Sequence, residues 1–187
     1  MEIFEKEELT SLRKNKNTES VELDGKLFIR QINPGVIIMP YTLDSDGNPD
    51  EIGILSEILN QRPGGISMTL ITGTPDDEDD NIFQTAIREL REESGFNVPD
   101  IKRWNFLGTL YTSKLVLNSN PCFSVNITGL VAEEKSTDGS QSEEDSKFEL
   151  ISVDEALDLE DSLVSTLFMK TFKTVFVKKI KQDDSTE

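Results

Sequence analysis

The sequence predicts an α+β fold in which helices pack over a mostly β core. Short apolar runs bounded by turn residues recur along the chain, and residues 81–94 change to helical spacing. A chain of 187 residues can bury one principal core. We expect a leader and short β segment at residues 1–33, one main domain at 34–180 and a disordered acidic tail at 181–187.

The N-terminal half reads mostly as strands. Residues 1–20 are polar and are predicted to form a partly helical leader. The segment VELDGKLFIRQ alternates apolar and polar residues around Asp24-Gly25, which predicts a hairpin. GVIIMPYTL is almost continuously apolar, as is typical of a strand buried on both faces. The next strands are predicted at EIGILSEIL and, as one short piece, at ISMTLITG.

A helix is predicted from Asn81 to Ser94, with Gly95 placed to end it. Strands are predicted around NFLGTLYTS and CFSVNITGLVA, and then at KFELISV beyond an acidic loop. The last 25 or so residues predict a C-terminal helix.

Composition excludes several classes of function. The net charge of −17 argues against a general binder of nucleic acids or anionic membranes. The chain has no histidine, which removes histidine-dependent triads and histidine zinc sites. It has one cysteine and no apolar run of membrane-spanning length, so we expect a cytoplasmic protein.

The segment RELREESGF, residues 88–96, concentrates negative charge on the predicted helix. Glu89, Glu92 and Glu93 fall at i, i+3 and i+4, so they share a face opposite the apolar side. Such a cluster is either a solvated acidic face or a site for Mg²⁺ or Mn²⁺, since hard cations prefer oxygen ligands.

This segment resembles the core of the Nudix box, G-x5-E-x7-R-E-U-x-E-E-x-G-U, where U is a bulky aliphatic or aromatic residue. Every fixed position from Arg88 to Phe96 matches. Counting back from Arg88 places Asp80 at the family's first Glu and Thr74 at its Gly, immediately after Gly73. The resemblance implies an α/β/α sandwich with a mixed sheet and a short N-terminal β segment.

The resemblance also implies a Mg²⁺-dependent hydrolase of nucleoside diphosphate derivatives, in which Mn²⁺ can replace Mg²⁺. Glu89, Glu93 and a shared Glu92 would hold the metal, together with the backbone carbonyl of Gly73. Arg88 would pair with a carboxylate of the same helix, Glu92 being the first choice, and so fix its rotamer.

Some features resemble the ADP-ribose or ADP-sugar pyrophosphatase branch of the family. That branch places a loop Glu before the strand KFELISV, so Glu144, with Glu143 as the neighbour, is the predicted general base. The branch also implies a homodimer formed through VELDGKLFIRQ. Candidate substrate-binding residues, chosen for stacking or phosphate pairing, are Phe28, Arg30, Arg62, Tyr111 and Lys114.

Two alternatives stay open from the sequence. One is a non-catalytic Nudix-fold module that binds a nucleotide or a protein. The other is a hydrolase acting on nucleic acid, such as a decapping enzyme, for which KNK at 14–16 and VKKIK near the C-terminus are the available basic clusters.

Overall fold

The computed structural model describes residues 10–14, 18–23, 26–31, 34–58, 65–111, 116, 119–133 and 146–177. The strands in this part of the chain are β1 (Thr10–Lys14), β2 (Thr18–Leu23), β3 (Lys26–Gln31), β4 (Val36–Leu43), β5 (Pro49–Ile58), β6 (Ile66–Thr69), β7 (Ile71–Gly73), β8 (Trp104–Leu110), β9 (Asn120–Asn126) and β10 (Lys147–Ser152). The helices are α1 (Ile82–Ser94), α2 (Val153–Leu157) and α3 (Ser162–Thr171), with a 3₁₀ turn at Ile101–Arg103 and a π-helical turn at Phe172–Val177.

The strands form two sheets. β1, β2 and β3 make a three-stranded antiparallel sheet, in which Leu23 pairs with Lys26 across the predicted hairpin. The other strands form a seven-stranded sheet with the order β10-β5-β4-β9-β8, to which β6 adds beside β5 and β7 beside β4. In this sheet β4 and β9 pair in parallel, whereas the other strand pairs are antiparallel. The sheet is therefore mixed, as predicted.

Strand β4 lies at the centre of the core. Val36 and Ile38 point to the face that packs with α1, whereas Ile37 and Met39 point to the face that packs with α2 and α3. This burial on both faces explains why the segment has no alternation of polar residues. Helices therefore cover both sides of the sheet, which gives the predicted α/β/α sandwich.

Helix α1 begins and ends where the sequence predicts. The Asn81 side chain caps it by accepting hydrogen bonds from the amides of Phe83 and Gln84. Gly95 ends it in the left-handed region with φ of 76°. The missing Cβ of Gly95 also lets the carbonyl of Glu133 lie directly against the cap.

Two predictions for the N-terminal half are wrong. The leader is not helical over its described residues, because Thr10–Lys14 and Thr18–Leu23 are strands. Lys14 of β1 lies opposite Glu19 of β2. This pairing defines β1, because the sequence of β1 has no clear alternation of apolar and polar residues. The segment ISMTLITG is two strands and not one: it breaks at Leu70, so that β6 pairs with β5 and β7 with β4.

The predicted C-terminal helix is present over its described residues, as α3 from Ser162 to Thr171 and then as a π-helical turn from Phe172 to Val177. Residues 178–187, which include the predicted acidic tail, lie outside the described residues. No helix in the described ranges is long and apolar enough to cross a membrane.

The close contact at Gly95 can be tested against a matched glycine. Gly95→Ala and Gly129→Ala both place a Cβ at positive φ, 76° and 72°, which costs about 1–2 kcal/mol. Only at Gly95 does the added Cβ overlap a carbonyl, because nothing lies within 4 Å of the position at Gly129. We expect urea unfolding to show a larger loss for Gly95→Ala, by ~1 kcal/mol or more. Equal losses would contradict the contact.

Candidate functional site

The guanidinium group of Arg88 joins helix α1 to the loop that precedes it, between β7 and α1. Its nitrogens lie 2.9 Å from Asp79 Oδ2, 3.0 Å from Glu89 Oε1 and 2.8 Å from Glu92 Oε2. Arg88 also donates to the backbone carbonyl of Thr74 at 2.9 Å. The ion pair with Glu92 that the sequence predicts is therefore present, and the same side chain fixes both ends of the loop between β7 and α1.

The acidic partner of Arg88 in this loop is Asp79 and not Asp80. Asp80 is exposed, whereas the Asp79 side chain is only 7% exposed. Counted from Asp79, the spacing G-x5-E of the box begins at Gly73, and the loop carries one residue more than the family pattern before Arg88. The apparent loss of the box glycine at Thr74 is thus a shift in register caused by that extra residue.

Gly73 provides the space for Glu89. A Cβ atom at Gly73 would overlap the carboxyl group of Glu89, so only glycine permits this contact. The amide of Thr74 donates to Glu89 Oε1 at 3.1 Å. The glutamate face is not wholly open to water, because the loop folds over Glu89 and leaves its side chain only 13% exposed.

Burial decides the electrostatics of Glu89. Desolvation raises its pKa to about 7, with Arg88 acting in the opposite direction and Glu92 adding to the rise. The hydrogen bond from Arg88 holds the pKa of Asp79 below its usual value. The two carboxyl groups bound to one guanidinium therefore differ in proton affinity, and Glu89 can exchange a proton near neutral pH.

The remaining glutamates of the cluster have different partners. Glu92 is bound by Arg88, and Glu93 accepts a hydrogen bond from Ser146 Oγ at 3.2 Å. Within the described residues, no group of three acidic or cysteine side chains is arranged so that it could hold a metal ion. The donor set is nevertheless of the type that Mg²⁺ prefers, since α1 carries carboxylates on adjacent turns and one of them, Glu89, lies beside the backbone of Gly73.

A cleft of about 320 Å³ opens beside this loop, between the two sheets. Gly73 and Thr74, which contact Glu89, lie in its wall. The other described residues that line it are Thr18, Gln31, Gly35, Val36, Ile37, Thr72, Asn120 and Leu163. Sequence reasoning missed all of these side chains, because they are spread over separate strands and carry no local motif.

The predicted substrate-binding residues are not among the described residues that line the cleft. Arg30 forms an ion pair with Glu19 within the three-stranded sheet. Phe28 is half-buried opposite Val21, and Tyr111 is exposed just beyond β8. Arg62, Lys114 and the predicted base Glu144, with its neighbour Glu143, lie outside the described residues.

Comparison with known proteins gives one family and one fold. The family profile described as NUDIX domain matches residues 46–171. No curated protein sequence matches the chain at a significant level. The chain is similar to the C-terminal domain of mouse MUTYH, solved in complex with human PCNA, with 10% identity, a TM-score of 0.51, and coverage of 77% of this chain and 90% of that one. It is also similar to a NUDIX hydrolase from Nitrosomonas europaea, with 18% identity, a TM-score of 0.51, and coverage of 75% and 90%.

Two neighbouring aspartates test the register of the loop. Asp79→Asn should lower the free energy of unfolding by about 1.5–3 kcal/mol, because it weakens a buried, charge-assisted hydrogen bond. Asp80→Asn should change it by less than about 0.5 kcal/mol, as is usual for an exposed residue. Chemical denaturation of both variants at pH 7 measures the difference. If Asp80→Asn lowers the free energy of unfolding more than Asp79→Asn does, the gap-free alignment, in which Asp80 is the acidic residue of the box, is the correct one.

The raised pKa of Glu89 predicts a pH-dependent effect of its removal. In the metal-free protein, ionising Glu89 costs folding energy once the pH exceeds the unfolded pKa, and the full cost is present above the folded pKa of about 7. Glu89→Gln should therefore raise the free energy of unfolding at pH 8 by roughly 1–3 kcal/mol. The gain should shrink as the pH falls to about 5. Denaturation in EDTA across this range measures it, and a gain that grows toward acid pH would contradict the assignment.

Proposed function

Because the chain belongs to the NUDIX domain family, we propose that it is a Mg²⁺-dependent hydrolase that cleaves the pyrophosphate of a nucleoside diphosphate derivative. The observation that carries this proposal is the carboxyl group of Glu89, held between Gly73, the Thr74 amide and Arg88 beside the cleft. A carboxyl group in that position can bind a cation or move a proton next to a bound pyrophosphate.

Glu89, Glu92 and Glu93 would hold the metal, with the Gly73 carbonyl beside them. When bound, the cation screens phosphate charge and lowers the pKa of water. That screening is needed here, because the chain has a net charge of −17 and the pyrophosphate is also an anion. Mn²⁺ should substitute, since it accepts the same oxygen ligands.

The residues of the chain divide the remaining work. Arg88 fixes the rotamers of Glu89 and Glu92, which reduces the reorganisation needed during the reaction. The family resemblance implies Glu144 as the general base, because a loop carboxylate can reach the attacking water without being used as a metal ligand. We keep Glu144 as the proposed base.

ADP-ribose and ADP-sugars are the proposed substrates to test first, in line with the branch that the sequence resembles. The homodimer and the cytoplasmic location that this branch implies are likewise proposals. Leu27 and Ile29 on β3 are exposed, and they would provide an apolar surface for the proposed dimer.

The proposed reaction is tested by a substrate screen. ADP-ribose, ADP-glucose, dinucleotides and nucleoside triphosphates are incubated with Mg²⁺ or Mn²⁺, and phosphate is read after phosphatase coupling. We expect one diphosphate derivative to be cleaved, and Glu89→Gln and Glu93→Gln to lose about 10²-fold or more in kcat/KM. Glu133→Gln, an exposed control near the end of α1, should retain wild-type turnover.

Two outcomes would contradict parts of this proposal. Near-normal turnover in Glu93→Gln would remove that residue from the metal site. No turnover of any substrate by the wild-type protein would favour a non-catalytic binding module instead.

The general base is tested by comparing adjacent loop acids. Glu144→Gln should lower kcat by about 10²-fold or more if Glu144 takes the proton from water. Glu143→Gln is the control and should lower kcat by less than about threefold. If both variants stay within about threefold of wild type, the base is not in this loop and the assignment of Glu144 is wrong.

A further inference from the structure

The cleft beside Glu89 has an unusual lining for a protein expected to bind phosphates. All of its described lining side chains are uncharged, and the polar ones are amides or hydroxyls: Thr18, Gln31, Thr72, Thr74 and Asn120. Such groups both donate and accept hydrogen bonds, which matches sugar hydroxyls rather than phosphate oxygens. We propose that this cleft binds a sugar ring of the substrate, and that Asn120 and Gln31 hydrogen-bond its hydroxyl groups.

Asn120 is the better fixed of the two amides. The residue lines the cleft although it is only 4% exposed. It is the first residue of β9, which lies between β4 and β8 in the large sheet. Because its backbone pairs with Leu110 of β8 and the residue is almost fully buried, Asn120 has little freedom, as specific recognition of hydroxyl groups requires.

Gln31 reaches the same cleft from the other sheet. It is the last residue of β3 and lies directly opposite Thr18 of β2, so the two side chains share one face of the hairpin. Both line the cleft. The three-stranded sheet therefore forms one wall of the proposed sugar site, and the large sheet forms the other.

The position and the volume of the cleft indicate which part of the substrate it can hold. Gly73 and Thr74 belong to both the cleft wall and the Glu89 contact, so a group in the cleft would adjoin a pyrophosphate bound beside Glu89. A volume of about 320 Å³ is at the lower end for ligand cavities and holds one ring system rather than a whole dinucleotide. A group with extra phosphates would meet no cation among the described lining residues.

This inference rests on the proposed function, which supplies the pyrophosphate, and its test separates the two. Wild type, Asn120→Leu, Gln31→Leu and the control Gln84→Leu are compared; Gln84 is exposed on α1 and lies outside the cleft. Hydrolysis of ADP-ribose gives kcat and KM. Calorimetry with Mg²⁺ gives the Kd of each product, AMP and ribose 5-phosphate, without requiring turnover.

We expect Asn120→Leu and Gln31→Leu to raise KM for ADP-ribose by about tenfold or more, with kcat changed less than about threefold. A matching rise in the Kd of AMP assigns the cleft to the nucleoside ribose, and a rise for ribose 5-phosphate assigns it to the distal sugar. Gln84→Leu should match wild type.

The proposal is overturned if folded Asn120→Leu and Gln31→Leu keep KM and both Kd values within about twofold of wild type, or if Gln84→Leu is affected equally. If Asn120→Leu does not fold, Gln31→Leu and Thr18→Val decide the result. A wild-type protein that binds a product but hydrolyses nothing would end the proposed function, while the Kd values would still decide the sugar site.

Discussion

The guanidinium group of Arg88 joins two segments that otherwise would not hold a common geometry. Its bonds to Asp79 and to the Thr74 carbonyl fix the loop, and its bonds to Glu89 and Glu92 order the helix. Burial disfavours its charge, but the three surrounding carboxylates raise its pKa above the ordinary value, so it stays charged. Lysine could not replace it, because a single ammonium lacks the planar fork that serves several acceptors at once.

The position that Arg88 imposes on Glu89 has a cost in stability. The loop presses the carboxyl group against Gly73 and away from water, and this desolvation outweighs the attraction of the guanidinium. An anion held in such a place gains more from a cation than an exposed one would. The same contact that weakens the metal-free fold would therefore favour the divalent ion that we propose for this site, which is a common relation between stability and function.

Much of the fold could be predicted because its signals are local. The apolar run of β4, the hairpin before Lys26 and the two caps of α1 are each encoded within a few residues. Strand β1 could not be predicted, because its pattern is weak and its pairing with β2 defines it. The burial of Glu89 was equally hidden, since helical spacing says which face a residue occupies but not which loop covers that face.

The alignment of the box within the loop between β7 and α1 was missed for a related reason. A gap-free count from Arg88 selects Asp80, and only the three-dimensional contact reveals that Asp79 is the partner.

The residues that line the cleft come from distant parts of the sequence. Thr18 and Gln31 reach it only because the β2–β3 ladder places them opposite each other. A slip of one residue in that ladder would turn both side chains to the other face, since successive residues of a strand alternate. The ladder keeps one register from Thr18↔Gln31 to Leu23↔Lys26. The large sheet and α1 thus position the charged groups around Arg88, while the pairing of β2 with β3 in the small sheet determines which neutral side chains line the cleft.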